Sequence, residues 1–189
     1  MTLGQAQTHL HASSVGSRIA FIQDDPIHFL KTTNEHYDYA IFFHSIWYFS
    51  GSDEVEQIFR VLYSRVRTLC IAEYTLHGST SHLLAIPIQA ACDTRSRLTS
   101  NVRTVLSKRA IIELACKAGW TKIEIEFEVN SELDDGKWEV QAALDLVEKQ
   151  ERTELTCVLK YALLESLEQV DDFKQIRTLN VWSSILSHE

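Results

Sequence analysis

The sequence predicts an α/β protein, one sheet with amphipathic helices on both faces. Three observations lead there. Residues 38–45 carry the uncharged run Tyr39, Ala40, Ile41, Phe42 and Phe43, which suits a strand buried on both sides. Residues 66–74, "VRTLCIAEY", form a second apolar strand. Between them Val55, Ile58, Phe59 and Leu62 recur at helical spacing, so a helix connects the two strands.

The other elements follow in order. Residues 2–13 are predicted as a helix that Thr2 caps, with Leu3, Ala6 and Leu10 on one face and "SSVGS" ending it. Residues 18–23, "RIAFIQ", read as a short strand closed by Asp24, Asp25 and Pro26, and 27–31 as a helical turn. Ser52 is the expected cap of the helix carrying Val55 to Leu62, where Asp53 and Glu54 suit the positive end. After strand 66–74, "HGSTSH" is expected as a loop and "LLAIPIQAACD" as a short helix broken near Pro87. Ser107 should cap a helix running to Ala118, with Gly119 at its end. Residues 121–129, "TKIEIEFEV", alternate Ile123, Ile125, Phe127 and Val129 with glutamates. Only one side of that strand can be buried, which places it at an edge. Two more helices are expected at 137–148 and 153–170, and a last strand at 176–186. No repeat or linker divides residues 1–189, which read as a single domain.

Composition narrows the function classes. The chain has 189 residues, 45% of them hydrophobic, enough for a sizeable core. Its 18 basic and 26 acidic side chains give a net charge of −8, which argues against a nucleic-acid surface. A local basic excess at Arg95, Arg97, Arg103, Lys108 and Arg109 reads as a solvated loop and helix start. Cys70, Cys92, Cys116 and Cys157 are far apart and read as reduced core cysteines. The first residues lack a signal-peptide pattern, and no apolar run approaches a membrane span. A cytoplasmic protein with no membrane role is expected. His9 and His11 diverge on their helix, and His77 and His82 lack an acidic or cysteine set, so no metal site is expected.

Several stretches together resemble the class I S-adenosylmethionine-dependent methyltransferases. "RIAFIQDDP" resembles the family's third strand, "YDYAIFFHSIWYF" the fourth strand and its turn, and "VRTLCIAEY" the fifth. "LACKAGWTKIEIE" resembles the helix–Gly–aromatic step into the sixth. "TLGQAQTHL" and "RTLNVWSSIL" are similar to stretches of fungal small-molecule methyltransferases. The resemblance implies a Rossmann-like sheet, mostly parallel, with an antiparallel last strand. Across it the strands would run 18–23, 38–45, 66–74, 176–186 and 121–129. The family's first strand and Gly-rich cofactor loop have no counterpart: the six glycines, at 4, 16, 51, 78, 119 and 136, are scattered. The expected sheet is thus N-terminally incomplete, a truncated or partial chain, and a homodimer or partner chain is expected to cover it. The apolar strand 38–45 needs such cover, or direct pairing with 18–23, because an open apolar edge invites aggregation.

The resemblance implies S-adenosylmethionine as cofactor and a small molecule as methyl acceptor; a non-catalytic relative that binds or partners is the alternative. Ligands of such sheets lie beyond the carboxyl ends of the strands. Asp24, Asp25 and Pro26 follow one strand end, where a carboxylate can accept from the adenine amino group or simply build a turn. Phe43 and His44 end the next strand. His44 could line the cofactor pocket or serve as the catalytic base, and a structural histidine fits equally. Ser45, Trp47, Tyr48 and Tyr74 are candidate acceptor contacts, since aromatic walls favour a sulfonium, with capping and core packing as their other roles.

Overall fold

The computed structural model describes residues 2–93, 102–130, 133, 135–149 and 153–188, in two compact units, Met1–Asn34 and Glu35–Glu189. In the first unit Thr2 caps helix α1, Leu3–His11. Thr2 Oγ1 accepts from the Gln5 amide at 3.3 Å, and the Gln5 side chain accepts from the Thr2 amide at 2.8 Å. Helix α2, Pro26–Thr32, has proline in its first turn, where no amide is missed. The strand expected at 18–23 does not form. A 3₁₀ turn at Gly16–Arg18 takes the Arg18 and Ile19 amides onto Val15 and Gly16 carbonyls at 2.9 and 3.2 Å, so local bonds replace a ladder.

The second unit holds a four-stranded sheet. Its strands are β1 (Tyr37–Phe43), β2 (Val66–Gly78), β3 (Lys122–Val129) and β4 (Leu179–Ser187), in the order β1-β2-β4-β3. β1 is parallel to β2, and β4 is antiparallel to both β2 and β3. Without 18–23, this is the expected order, antiparallel last strand included. β1 therefore stands at an edge of the described sheet.

Alternation gives the sheet two unlike faces. Helices α3 (Ser52–Tyr63) and α5 (Lys108–Lys117) pack on one. There Leu69, Ile71, Trp182 and Leu186 are buried, as are Ile58 and Phe59 of α3 and Ile111 of α5. The Trp120 indole seals the helix pair by donating to the Phe59 carbonyl at 2.9 Å. Gly119 reaches that turn with φ 107°, and a Cβ there would meet the Tyr63 ring at 2.9 Å. The other face stays open: Tyr39, Ile41 and Phe43 are 64%, 72% and 68% exposed. The apolar side of β3, Ile123, Ile125, Phe127 and Val129, is exposed too, although the alternation predicted that it would be the buried side. The α5 side takes the glutamates instead, with Lys108 pairing Glu126 at 2.8 Å.

Caps and connections bring further corrections. Gly51, not Ser52, is the cap residue of α3, and Glu54 accepts from the Ser50 amide and hydroxyl at 2.7 and 2.6 Å. β2 continues to Gly78, so "HGSTSH" divides between strand end and helix. Helix α4, Thr80–Asp93, runs through Pro87 unbroken. Its buried Ala85, Ile88 and Cys92 pack with Val140, Leu146 and Leu163 in a second core shared with α6 (Gly136–Lys149) and α7 (Glu154–Leu167). That burial outweighs the one backbone bond a proline removes. Ser107 caps α5 as expected, accepting from the Ala110 amide at 3.2 Å. Cys92 is buried, but Cys116 is exposed, so it is not a core cysteine. Arg95 and Arg97 lie outside the described residues.

Candidate active site

Parallel pairing of β1 with β2 sets Phe43 beside Ala72, so the next residues, His44 and Glu73, meet where β1 ends, while β2 runs on to Gly78. The His44 amide donates to the Ala72 carbonyl at 2.9 Å, continuing the ladder by one bond. Its φ is 47°, the left-handed region that a non-glycine residue enters at a cost. The turn throws the His44 ring toward β2, where its Nδ1 lies 3.4 Å from Glu73 Oε1.

Glu73 is the hub of this corner. It is 1% exposed, and a buried carboxylate needs donors. Oε2 accepts from the Ile46 amide at 3.1 Å, and Oε1 from the Tyr74 amide at 3.0 Å. These bonds tie the 3₁₀ turn Ile46–Tyr48 to the middle of β2.

Tyr74 stands at the centre of an aromatic cluster. Its ring lies 4.1 Å from His44, 5.3 Å from His82 and 6.0 Å from Trp47. Burial, with the Glu139 and Glu73 carboxylates after it, pushes the Tyr74 hydroxyl up to about 12. Tyr48 is raised by the same causes in the same order, although its residue is half exposed. His82 is fully buried, and its Nδ1 accepts from the Leu179 amide at 2.9 Å. Burial, assisted by His44, drives it down to about 4, so the ring is neutral with its proton on Nε2. That Nε2 has no hydrogen-bond partner.

The expected site residues fall into three groups. His44 and Tyr74 come together as described, with half-exposed Tyr48 beside them. Phe43 stacks its ring edge on His44 at 4.6 Å and is otherwise exposed on the open face. Trp47 is 3% exposed, and its indole donates to the Leu106 carbonyl at 2.9 Å; that makes it a core staple touching Tyr74, not an open wall. The Ser45 side chain makes no cap bond. Asp24, Asp25 and Pro26 belong to the first unit. There Asp25 Oδ1 caps α2 through the His28 amide at 2.8 Å, and Asp24 Oδ2 meets the His28 ring at 2.8 Å. That side-chain bond holds the Asp24 carboxyl below its ordinary range.

Sequence reasoning missed Glu73 and His82 as site residues. Glu73 carried a visible signal, a carboxylate within an apolar strand. His82 carried none, because α4 reaches the cluster only through tertiary packing. A separate cavity of about 490 Å³ is lined by Leu76, Lys108, Ile112, Glu126 and Glu128, among others. Glu126 is paired there with Lys108, and Glu128 lies 3.6 Å from His77.

This sheet order, with a side-chain cluster where β1 ends beside β2, matches part of a Rossmann-like methyltransferase fold. Comparison with solved structures agrees. A cyclopropane-fatty-acyl-phospholipid synthase-like protein from Lactobacillus casei superposes with a TM-score of 0.81 at 22% identity, covering 99% of this chain and 69% of that one. A SAM-dependent methyltransferase from Archaeoglobus fulgidus gives 0.50 at 10% identity, covering 90% and 68%. In sequence, the methyltransferases phomM and phomM' of Diaporthe leptostromiformis are each 27% identical over 158 residues. The match takes in 63% of this chain and spans 41% of the length of those relatives. No family model matches.

Proposed function

We propose that this chain is the acceptor-facing part of an S-adenosylmethionine-dependent methyltransferase acting on a small molecule. The observation that carries the reading is the Glu73-centred corner, which gathers His44, Tyr48 and Tyr74 where β1 ends beside β2 in a methyltransferase fold. The cofactor would supply an electrophilic methyl group on a sulfonium. The residues present fit such a group: aromatic faces at Phe43, His44 and Tyr74 stand beside a buried carboxylate, a setting that favours a cation. Asp24, Asp25 and Pro26 are proposed as adenine contacts on the family resemblance alone. His44 lines the pocket and orients the acceptor, and proximity and alignment supply most of the rate.

The scattered glycines favour a second reading for the chain by itself: a relative that binds or partners without catalysing. A second copy or a partner chain covering the β1 edge fits either reading. A nuclear magnetic resonance titration with S-adenosylmethionine to millimolar concentration separates them. We expect shifts at Phe43, His44, Tyr48 and Tyr74 with a dissociation constant weaker than about 10 μM, roughly −7 kcal/mol. No shift at any residue would overturn the transferase reading and leave the second. In a completed version of the enzyme, Asp25→Ala should weaken cofactor binding by about 1.5–3 kcal/mol and Ser45→Ala by far less, since only the first removes a charged acceptor.

A further inference from the structure

One cleft stands apart from the corner described above. It lies between the first turns of α5, the far end of β2 and the edge strand β3, with a volume of about 490 Å³. Small-molecule sites occupy roughly 300–1,000 Å³, so the size suits a ligand. Thr75 lines the cleft. Thr75 and Tyr74 are successive residues of β2, so their side chains leave the strand on opposite faces, and the cleft is separate from the Tyr74 cluster. The sequence explains why it stays open. α5 packs against α3 and β2. The side of β3 turned to α5 offers Glu126 and Glu128, while the apolar side chains of β3 are exposed on the other face. Glutamates cannot close an apolar gap, and α5 finds no apolar ridge on β3 to settle on.

The wall combines apolar surface with charges that are already satisfied. Leu76 comes from β2 and Ile112 from α5, and the long side chains of Lys108 and Arg109 add their aliphatic stems. Lys108 lies across this edge of the sheet, its Nζ 2.8 Å from Glu126 Oε1 and 6.0 Å from the centre of the Trp182 ring. The other described charges of the wall are paired as well, Arg109 with Glu113 at 2.8 Å and Glu128 with the His77 ring at 3.6 Å. An ion entering the cleft would give up hydration and find no unpaired counter-charge. An anion would meet Glu113, Glu126 and Glu128, and a cation would meet Lys108 and Arg109. An uncharged apolar molecule avoids both penalties and releases water that apolar walls hold poorly.

We propose that this cleft is a second ligand site, and that its ligand is an uncharged, mainly apolar small molecule. Glu126 sets the specificity, because it occupies the Lys108 ammonium that an anionic ligand would otherwise use. The site asks nothing of the cofactor or of the Glu73 corner, so it stands whether or not the chain transfers a methyl group.

The test is a fluorescence titration of the purified chain with the uncharged probe N-phenylnaphthylamine, followed by displacement with three compounds of one ring system. These are naphthalenemethanol, which is uncharged, naphthoate, an anion, and naphthylmethylamine, a cation at neutral pH. We expect saturable binding of one probe per chain, with the alcohol displacing it at a concentration at least about tenfold lower than either ion. Ile112→Trp fills the cleft from a half-buried position and should abolish binding. Leu76→Trp, from the strand wall, repeats the block if circular dichroism shows that the first variant fails to fold. Glu126→Gln should let naphthoate bind at least about fivefold more tightly while leaving the alcohol unchanged, since it frees the Lys108 charge. Phe127→Ser, on the open face, should leave probe binding intact. Absence of probe binding, equal displacement by the three compounds, or binding that survives a folded cleft-filling variant overturns the proposal. Loss of binding in a folded Phe127→Ser variant would place the probe on the open face and overturn it as well.

Discussion

The two faces of the sheet are built from the same strands and differ in nearly every respect. One cross-strand row on the covered face passes from Phe42 through Ile71 and Ser184 to Glu126. The row beside it on the open face passes from Ile41 through Cys70 and Ile185 to Ile125. The open row is the more apolar, yet it is the one left to solvent. Hydrophobicity of a strand therefore does not decide which of its sides is buried. What decides is which side the connecting helices reach, and α3 and α5 both return to the same side. Glu73 and Trp182 could then be drawn into the interior, while Ile41 and Phe127 were not.

Truncation measures that difference most directly. Trp182→Ala on the covered face should cost about 3–5 kcal/mol in urea unfolding, and Phe127→Ala on the open face less than about 1. If the two costs are alike, the open face is covered in solution, and the Phe127→Ala cost should then depend on protein concentration. His82 extends the contrast to pH. Its folded-state value, about 4, lies below the ordinary 6.5, so the unfolded chain takes up the proton first. Stability is then fully present above about pH 6.5 and falls by about 3 kcal/mol as pH drops toward 4. Urea midpoints at pH 7 and pH 5 check this, and His82→Gln should flatten the slope.

His44 sits at the corner where the faces meet. Replacing it with glycine relieves the left-handed backbone, whereas alanine keeps the strain. His44→Gly should therefore be more stable than His44→Ala by about 1 kcal/mol, and the reverse order would show that the turn relaxes elsewhere. The smallest stability effect is expected at Ile41→Lys, below about 0.5 kcal/mol. Its readout is association: sedimentation should show less self-association than the parent chain, because a lysine on an edge strand blocks pairing.

Much of this architecture was legible before any coordinates. Helical spacing from Val55 to Leu62, the cap at Ser107 and the apolar run after Asp38 fixed their elements, because each depends on neighbours within a few residues. The order of β1, β2, β4 and β3 came from the family resemblance, and the structure has it. The strand at 18–23 was misread because its apolar residues satisfied a pattern while no ladder partner was there to complete it. Pro87 was misread in the opposite sense: a local rule against helix was overruled by burial of Ala85, Ile88 and Cys92.

The candidate site divides in the same way. Sequence determined that His44 lies at a strand end; Glu73 and Tyr74, expected at the end of strand 66–74, instead lie inside β2, which continues to Gly78. Only the tertiary structure decided that Glu73 would be buried beneath the Ile46 and Tyr74 amides, that Trp47 would be a core staple, and that His82 would join the cluster from α4. Those residues are tens of positions apart in the chain. Nothing local couples them, and the physical reason His82 meets Tyr74 is that α4 must bury its apolar face against α6 and α7, which fixes where its polar residues lie.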